Sequence, residues 1–293
     1  MKLQGVLPAL VTPFDASGAL DLAALGTLMG SLRAAGVTGW VPCGSSGEYY
    51  FMSDAEREAV LRFVKDFALP GEVLIAGTNA PHTAGVIANT QAAKAMGYDT
   101  VLLAVPFYTK PTQAEIINHF NAVLDACDVN IVLYSYLGKD GVEIEWQALD
   151  ALADHPRIIA IKESSGSLQR AIGIATRYAG RVQLVSGSDD IALDFMLWGA
   201  DAWICGPANC MGRAVCDLDR TFRAGDLTRA RAQMATLYTA MNSLESGKFV
   251  QKLKYGCELQ GTPVGDCRMP LGPLADDEKS SFAAAMQPIL TWA

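Results

Sequence analysis

In the stretch RIIAIKESSG (157–166), Ile158, Ile159, Ala160 and Ile161 read as a buried strand with Lys162 at its end. An ammonium is costly to bury, and lysine is almost never fully buried without a partner. One reading is therefore that the strand ends here and its lysine reaches solvent. The other is chemical. Desolvation among isoleucines lowers a lysine's pKa and leaves a neutral amine near pH 7. Such an amine attacks a ketone and forms a Schiff base, whose protonated form is an electron sink for C–C or C–X cleavage. That chemistry needs a proton shuttle and a holder for a substrate carboxylate. Tyr134, in NIVLYS (130–135), offers a phenol for the first, although packing is the ordinary role of a core aromatic. GSSGE (44–48) offers the hydroxyls of Ser45 and Ser46 and consecutive backbone N–H groups for the second. Alone it would read as a glycine turn before a helix.

Competing chemistries fit poorly. The three histidines, His82, His119 and His155, have no ligand spacing, so a metal-dependent aldolase is disfavoured and no metal site is expected. Cys205 and Cys210 are too far apart for a typical zinc pair and read as core thiols. Neither GxxxxGK[ST] nor GxGxxG occurs, which argues against a P-loop or dinucleotide site, and no cofactor is expected.

The elements that must position these groups are short apolar runs alternating with amphipathic stretches. Eight runs read as strands: 5–11, 39–43, 72–78, 100–106, 130–135, 158–163, 182–187 and 202–206. They are continuously apolar, as suits a parallel sheet covered on both faces. Between them lie helical patterns. SDAEREAVLRFVKDFA starts at Ser53 with Glu56 at the capping-box position, and SLQRAIGIATRYAG runs from a serine to Gly180. Eight strand–helix units in about 220 residues predict an α/β fold, a (β/α)8 TIM barrel over 1–224. A doubly wound open sheet is the rival. After residue 225 strand signals stop, and an all-helical C-terminal extension over 225–293 is expected beside the barrel.

In such a barrel the chemistry lies at the C-terminal strand ends. Those ends carry Thr12 and Pro13, GSSGE, GTNA (77–80), PFYTKP (106–111), Tyr134, Lys162, SGSDD (186–190) and GPAN (206–209). Hydroxyls, glycines, one strand-end lysine and one strand-end tyrosine thus share a rim, which favours the chemical reading of Lys162. Composition bounds the rest. The 293 residues are 51% hydrophobic with a net charge of −8, so a large core is available and disorder is excluded. Without a basic cluster, nucleic acid is a poor partner. Seven scattered cysteines read as reduced thiols, and no run is long enough to span a bilayer, so a cytoplasmic protein away from membranes is expected.

Together GSSGE, Tyr134 with a glycine seven residues on, IKESSG and GSDD resemble the dihydrodipicolinate synthase and N-acetylneuraminate lyase family of class I Schiff-base lyases. The resemblance covers the whole chain, including the N-terminal TPF and the helical tail. It implies that Lys162 forms a Schiff base with a pyruvate-like 2-oxo acid, that Tyr134 is the catalytic tyrosine and that Ser45 relays the proton. Ser46, Gly47 and neighbouring amides would bind the carboxylate, with Thr12, Gly187 and Ile204 completing the substrate-binding set. Tyr108 matches a tyrosine that some members lend across a subunit interface. The family's usual assembly, a homotetramer built as a dimer of dimers, is therefore expected.

The departures bear on substrate. Synthases usually read Y-N-x-P-x-R-T-G after the catalytic tyrosine, the arginine binding a substrate carboxylate. Here the stretch is YSYLGKDG: Ser135 replaces the asparagine, the proline is gone and Lys139 stands at the arginine position. A lysine cannot supply a bidentate fork. The expectation is a catabolic enzyme working by aldol cleavage, dehydration or deamination on a 2-keto-3-deoxy sugar acid or a hydroxyproline-derived 2-oxo acid. The alternatives are a genuine 4-hydroxy-tetrahydrodipicolinate synthase or N-acetylneuraminate lyase, and an idle barrel kept as a binding scaffold.

Overall fold

A computed structural model describes residues 2–292, without the side chains of 139 and 140. Its strands are β1 (Gly5–Pro8), β2 (Gly39–Trp40), β3 (Val73–Leu74), β4 (Ala76–Gly77), β5 (Thr100–Ala104), β6 (Asn130–Ser135), β7 (Ile158–Glu163), β8 (Gln183–Ser186) and β9 (Ala202–Cys205). Seven pair in parallel in the order β1-β9-β8-β7-β6-β5-β4, and β2 pairs with β3. The ring closes through Thr38 N–H to Val6 O, Val41 N–H to Pro8 O and Leu10 N–H to Val41 O, at 3.0 Å each. Since β3 and β4 are one stave interrupted at Ile75, the eight predicted runs become eight staves of a closed barrel. The rival open sheet is excluded.

Alternation sorts side chains into two apolar layers. Leu7, Val41, Ile75, Leu102, Val132, Ala160, Val185 and Ile204 fill the interior, whereas Val6, Trp40, Val101, Leu133, Ile161 and Trp203 face the helices. In β7 the register slips: Ile131 pairs with Ile158 but Val132 with Ala160, leaving Ile159 as an extra residue. A bulge of this kind re-aims everything after it. Ile161 and Glu163 consequently turn to the helix layer, and Lys162 turns inward.

The helices are α1 (Leu22–Ala35), α2 (Asp54–Phe67), α3 (Thr83–Ala95), α4 (Gln113–Ala126), α5 (Leu137–Asp140), α6 (Trp146–Leu152), α7 (Leu168–Arg177), α8 (Ala192–Leu197), α9 (Ala208–Arg223), α10 (Leu227–Glu245), α11 (Phe249–Leu259) and α12 (Asp276–Leu290). α2 begins as predicted, with Ser53 and Glu56 forming a reciprocal capping box. α7 stops at Arg177, short of Gly180, because Tyr178 leaves helical geometry and sends its hydroxyl to Asp150. The helical tail is not one continuous helix over its first part. It breaks at 246–248, where Gly247 has φ +126° and Lys248 φ +51°, so α11 sets off in a new direction. Leu237, Met241, Leu253, Phe282 and Met286 of the tail belong to the same core layer as the barrel helices. Among the described residues no helix is long and apolar enough to cross a membrane.

Candidate active site

Lys162 and Tyr134 are direct partners in the β6–β7 ladder. Both point inward and are buried, and Lys162 Nζ lies 4.2 Å from the centre of the Tyr134 ring. They open into a cavity of about 200 Å³ that is also lined by Ser46, Tyr136, Ser164, Asp189, Glu245 and Phe249. Gly187 forms the wall beside Lys162 for a steric reason: a Cβ there would sit 2.0 Å from Ser164 Oγ and 2.8 Å from Lys162 Cγ. Only a glycine lets β8 approach the lysine stem so closely.

The GSSGE turn is a short helical turn at Ser45–Gly47, followed by Glu48 in the left-handed region at φ +55°. Such a conformation in a non-glycine residue costs energy and persists only where surroundings impose it. They do so here. The fully buried Glu48 carboxylate meets Lys254 Nζ of α11 at 2.7 Å and accepts from Arg268 N–H at 3.0 Å. Thr12 Oγ1 donates to Gly47 O at 2.7 Å, and a Cβ on Gly47 would lie 2.9 Å from Leu10 O. Ser46 is thereby presented to the cavity. Ser45, Gly47 and Thr12 build the turn and do not line the cavity itself.

The remaining candidates lie elsewhere. Ile204 belongs to the interior layer, and Gly206, two residues on, reaches the cavity instead. Tyr108 stands on the β5–α4 loop with φ +73°, 91% exposed and not among the residues lining this cavity. The side chain of Lys139 lies outside the described residues; its backbone is in α5, on the loop following β6.

Three features of the cavity were not singled out from the sequence. Asp189 is buried, accepts from Trp203 Nε1 at 2.8 Å and faces the lysine. Burial, reinforced by the charge of Glu245, pushes its carboxyl up to about 8; the Lys162 charge and the Trp203 hydrogen bond oppose that shift. Glu245, the last residue of α10, and Phe249, the first of α11, bring the helical tail into the wall. Phe249 fits because residue 206 is glycine, where a Cβ would sit 2.7 Å from its ring. SGSDD had pointed to the Asp189 strand end, but nothing local marks Glu245 or Phe249. Among the described lining residues Lys162 is the one base, set against Asp189, Asp190 and Glu245. No cluster of metal-ligating side chains occurs among the described residues.

A buried lysine facing a tyrosine at the C-terminal mouth of a (β/α)8 barrel defines a class: the Schiff-base lyases of this fold. Residues 2–289 match the model of the dihydrodipicolinate synthetase family, and the chain belongs to that family. It is a class I lyase of the aldolase type. It is 34% identical over 284 residues to the 4-hydroxy-tetrahydrodipicolinate synthase of Pelobacter propionicus, covering 97% of this chain and 98% of the relative. It is 35% identical over 286 residues to the enzyme of that name from Geobacter sulfurreducens, covering 97% and 98%. Among solved structures it superposes with a TM-score of 0.94 on the 4-hydroxy-tetrahydrodipicolinate synthase of Methylacidiphilum fumariolicum, at 28% identity over 98% of this chain and 96% of that one. The chloride-inhibited dihydrodipicolinate synthase of Acinetobacter baumannii complexed with pyruvate gives 0.94 at 29% identity, covering 98% and 99%.

Proposed function

We propose that Lys162 forms a Schiff base with C2 of a pyruvate-like 2-oxo acid, and that the enzyme then breaks or makes a bond at the neighbouring carbons. The amine attacks the ketone, water leaves, and the protonated imine accepts the electron pair released from C3. Tyr134 moves the proton, Ser45 shapes the turn that presents Ser46, and Ser46 with the adjacent turn amides holds the carboxylate. The observation carrying this reading is the in-register pairing of two buried inward-facing residues, Lys162 and Tyr134, in one cavity. Incubation with pyruvate and borohydride, followed by peptide mass spectrometry, tests it. A reduced adduct on Lys162 is expected, and an adduct confined to another lysine overturns it.

The far end of the substrate is read from the charge of the wall. Asp190 and Glu245 favour groups that donate hydrogen bonds over a second carboxylate, and Asp189, raised by its burial, adds a carboxyl that can itself donate. This supports a hydroxylated 2-oxo acid of the 2-keto-3-deoxy sugar acid type, cleaved by retro-aldol reaction or dehydrated in catabolism. The second reading is 4-hydroxy-tetrahydrodipicolinate synthesis, favoured by relatives of that name at 34–35% identity. A coupled assay with pyruvate and aspartate semialdehyde separates them. A kcat/KM near about 10⁴ M⁻¹s⁻¹ or above would favour the synthase. The outward Tyr108 suits a role at a neighbouring copy's site within a tetramer, which light scattering and Tyr108→Ala would test.

A further inference from the structure

Behind Lys162, on the outer face of the same strand, lies an ion network that the chemistry above does not use. Glu163 is fully buried and alternates with Lys162, so its carboxylate points into the helix layer. One of its oxygens accepts from Ser165 N–H at 2.7 Å, and the other meets Arg170 Nε at 2.7 Å. Arg170, in the first turn of α7 and only 7% exposed, spreads its fork in two further directions. One terminal nitrogen reaches Glu143 Oε2 at 3.1 Å, and the other donates to Ile144 O. The guanidinium also stands 5.1 Å from the centre of the Trp146 ring.

Glu143 and Ile144 end the loop that follows β6. That loop begins with Tyr136, on the cavity wall, and carries Lys139 in α5. Its return is held at two more points. Ile144 N–H donates to Ser135 Oγ at 3.3 Å, and Gln113 of α4 spans Glu143 O at 2.9 Å and Glu145 N–H at 3.0 Å. Ser135, a departure from the family pattern, is thus a loop anchor. Three acceptors in three directions suit a planar guanidinium and no other side chain.

We propose that Arg170 is a positioning residue that clamps the loop 136–145 to the end of the catalytic strand, so that it governs which 2-oxo acids fit without taking part in Schiff-base formation. This rests on the Schiff-base reading of the same cavity. Removing Arg170 would strand the buried Glu163, so Arg170→Lys could fail to fold. Glu143→Gln keeps the Glu163–Arg170 pair and loosens the clamp from the loop side only.

Two measurements on the full chain decide the matter. Hydrogen exchange should show amides 137–145 exchanging roughly ten- to hundredfold faster in Glu143→Gln, the factor that a charged hydrogen bond contributes, with β7 amides unchanged. Borohydride trapping should then compare pyruvate, which carries nothing beyond C3, with 2-keto-3-deoxygluconate. The pyruvate rate is expected within about twofold of the unsubstituted protein, while the ratio of six-carbon acid to pyruvate falls roughly tenfold or more. Unchanged loop exchange overturns the clamp. Equal losses with both acids overturn the selective role and leave Arg170 as a support of the strand alone. A wild-type protein that fails to trap pyruvate removes the Schiff-base reading, while the exchange experiment still decides the clamp.

Discussion

The amine of Lys162 lies 4.2 Å from the ring centre of Tyr134, its partner on the adjacent stave. An ammonium is attracted to the face of a phenol at this range. Under the proposed mechanism, a substrate carbon bonded to that nitrogen would have to meet the phenol oxygen, directly or through one water, for proton transfer.

Tyr134→Phe keeps the ring and removes the proton. Turnover should fall about 10²–10⁴-fold, while the Schiff base with pyruvate still forms and can be reduced with borohydride. Steady-state rates and adduct yield measured on the same preparation check this. Full turnover in the variant would return Tyr134 to a packing role.

Gly187→Ala tests the close approach of β8 to the lysine stem. The added methyl meets Ser164 Oγ and Lys162 Cγ inside contact distance, with Glu163 O at 2.9 Å behind them. Overpacking of this kind costs typically about 1–3 kcal/mol, and here the displaced group is the proposed nucleophile. A lower melting temperature together with at least tenfold slower pyruvate trapping is expected. A variant that traps at the normal rate would mean that the two strand ends part easily.

What the sequence revealed follows from which interactions are local. Eight apolar runs were legible because parallel staves buried on both faces leave continuous apolar segments. Lys162, Tyr134, Ser46 and Gly187 were legible because strand ends in a barrel converge on one rim. The bulge at Ile159 was not, since a run of three isoleucines and an alanine looks the same with or without a slipped register. Nor were Glu245 and Phe249. They reach the cavity through the break at Gly247–Lys248 and the gap above Gly206, both of which depend on how the tail packs. Glu48 read as the last letter of a turn, and only the fold reveals Lys254 as its partner.

Glu245 adds a carboxylate to the wall of the cavity. Glu245→Gln should therefore raise the trapping rate with the dianion 2-oxoglutarate relative to the monoanion pyruvate. A gain of roughly three- to tenfold is expected at low ionic strength, shrinking as salt is added. An unchanged ratio would indicate that the distal group of such a substrate never approaches this residue.

His119 on α4 gives the fold an acid-sensitive point away from the active site. It is 5% exposed, packs edge-to-face on Phe120 with ring centres 5.2 Å apart, and holds Thr83 Oγ1 at 2.9 Å through Nδ1. Its Nε2 has no hydrogen-bond partner among the described residues, so a proton placed there would be a buried, uncompensated charge. Burial accordingly pushes the imidazole down to about 4 from an ordinary 6.5. Between these values the unfolded chain binds a proton that the native state refuses, so stability rises with pH across this window. It is fully present above about 6.5, falls as the pH drops towards 4, and loses on the order of 2–3 kcal/mol in all. The window is distinct from that of Glu56. The guanidinium of Arg268 holds Glu56 down at about 2 from an ordinary 4.5, so its contribution persists until the pH falls below 4.5. His119→Gln retains a group able to bond Thr83 but does not titrate. Urea unfolding of both proteins from pH 7.5 to 4.5 should show the wild type losing stability more steeply than the variant, the two curves converging as the pH falls. Parallel curves would mean that His119 takes up its proton without cost in the native state, and the closed packing around Nε2 would then have to open.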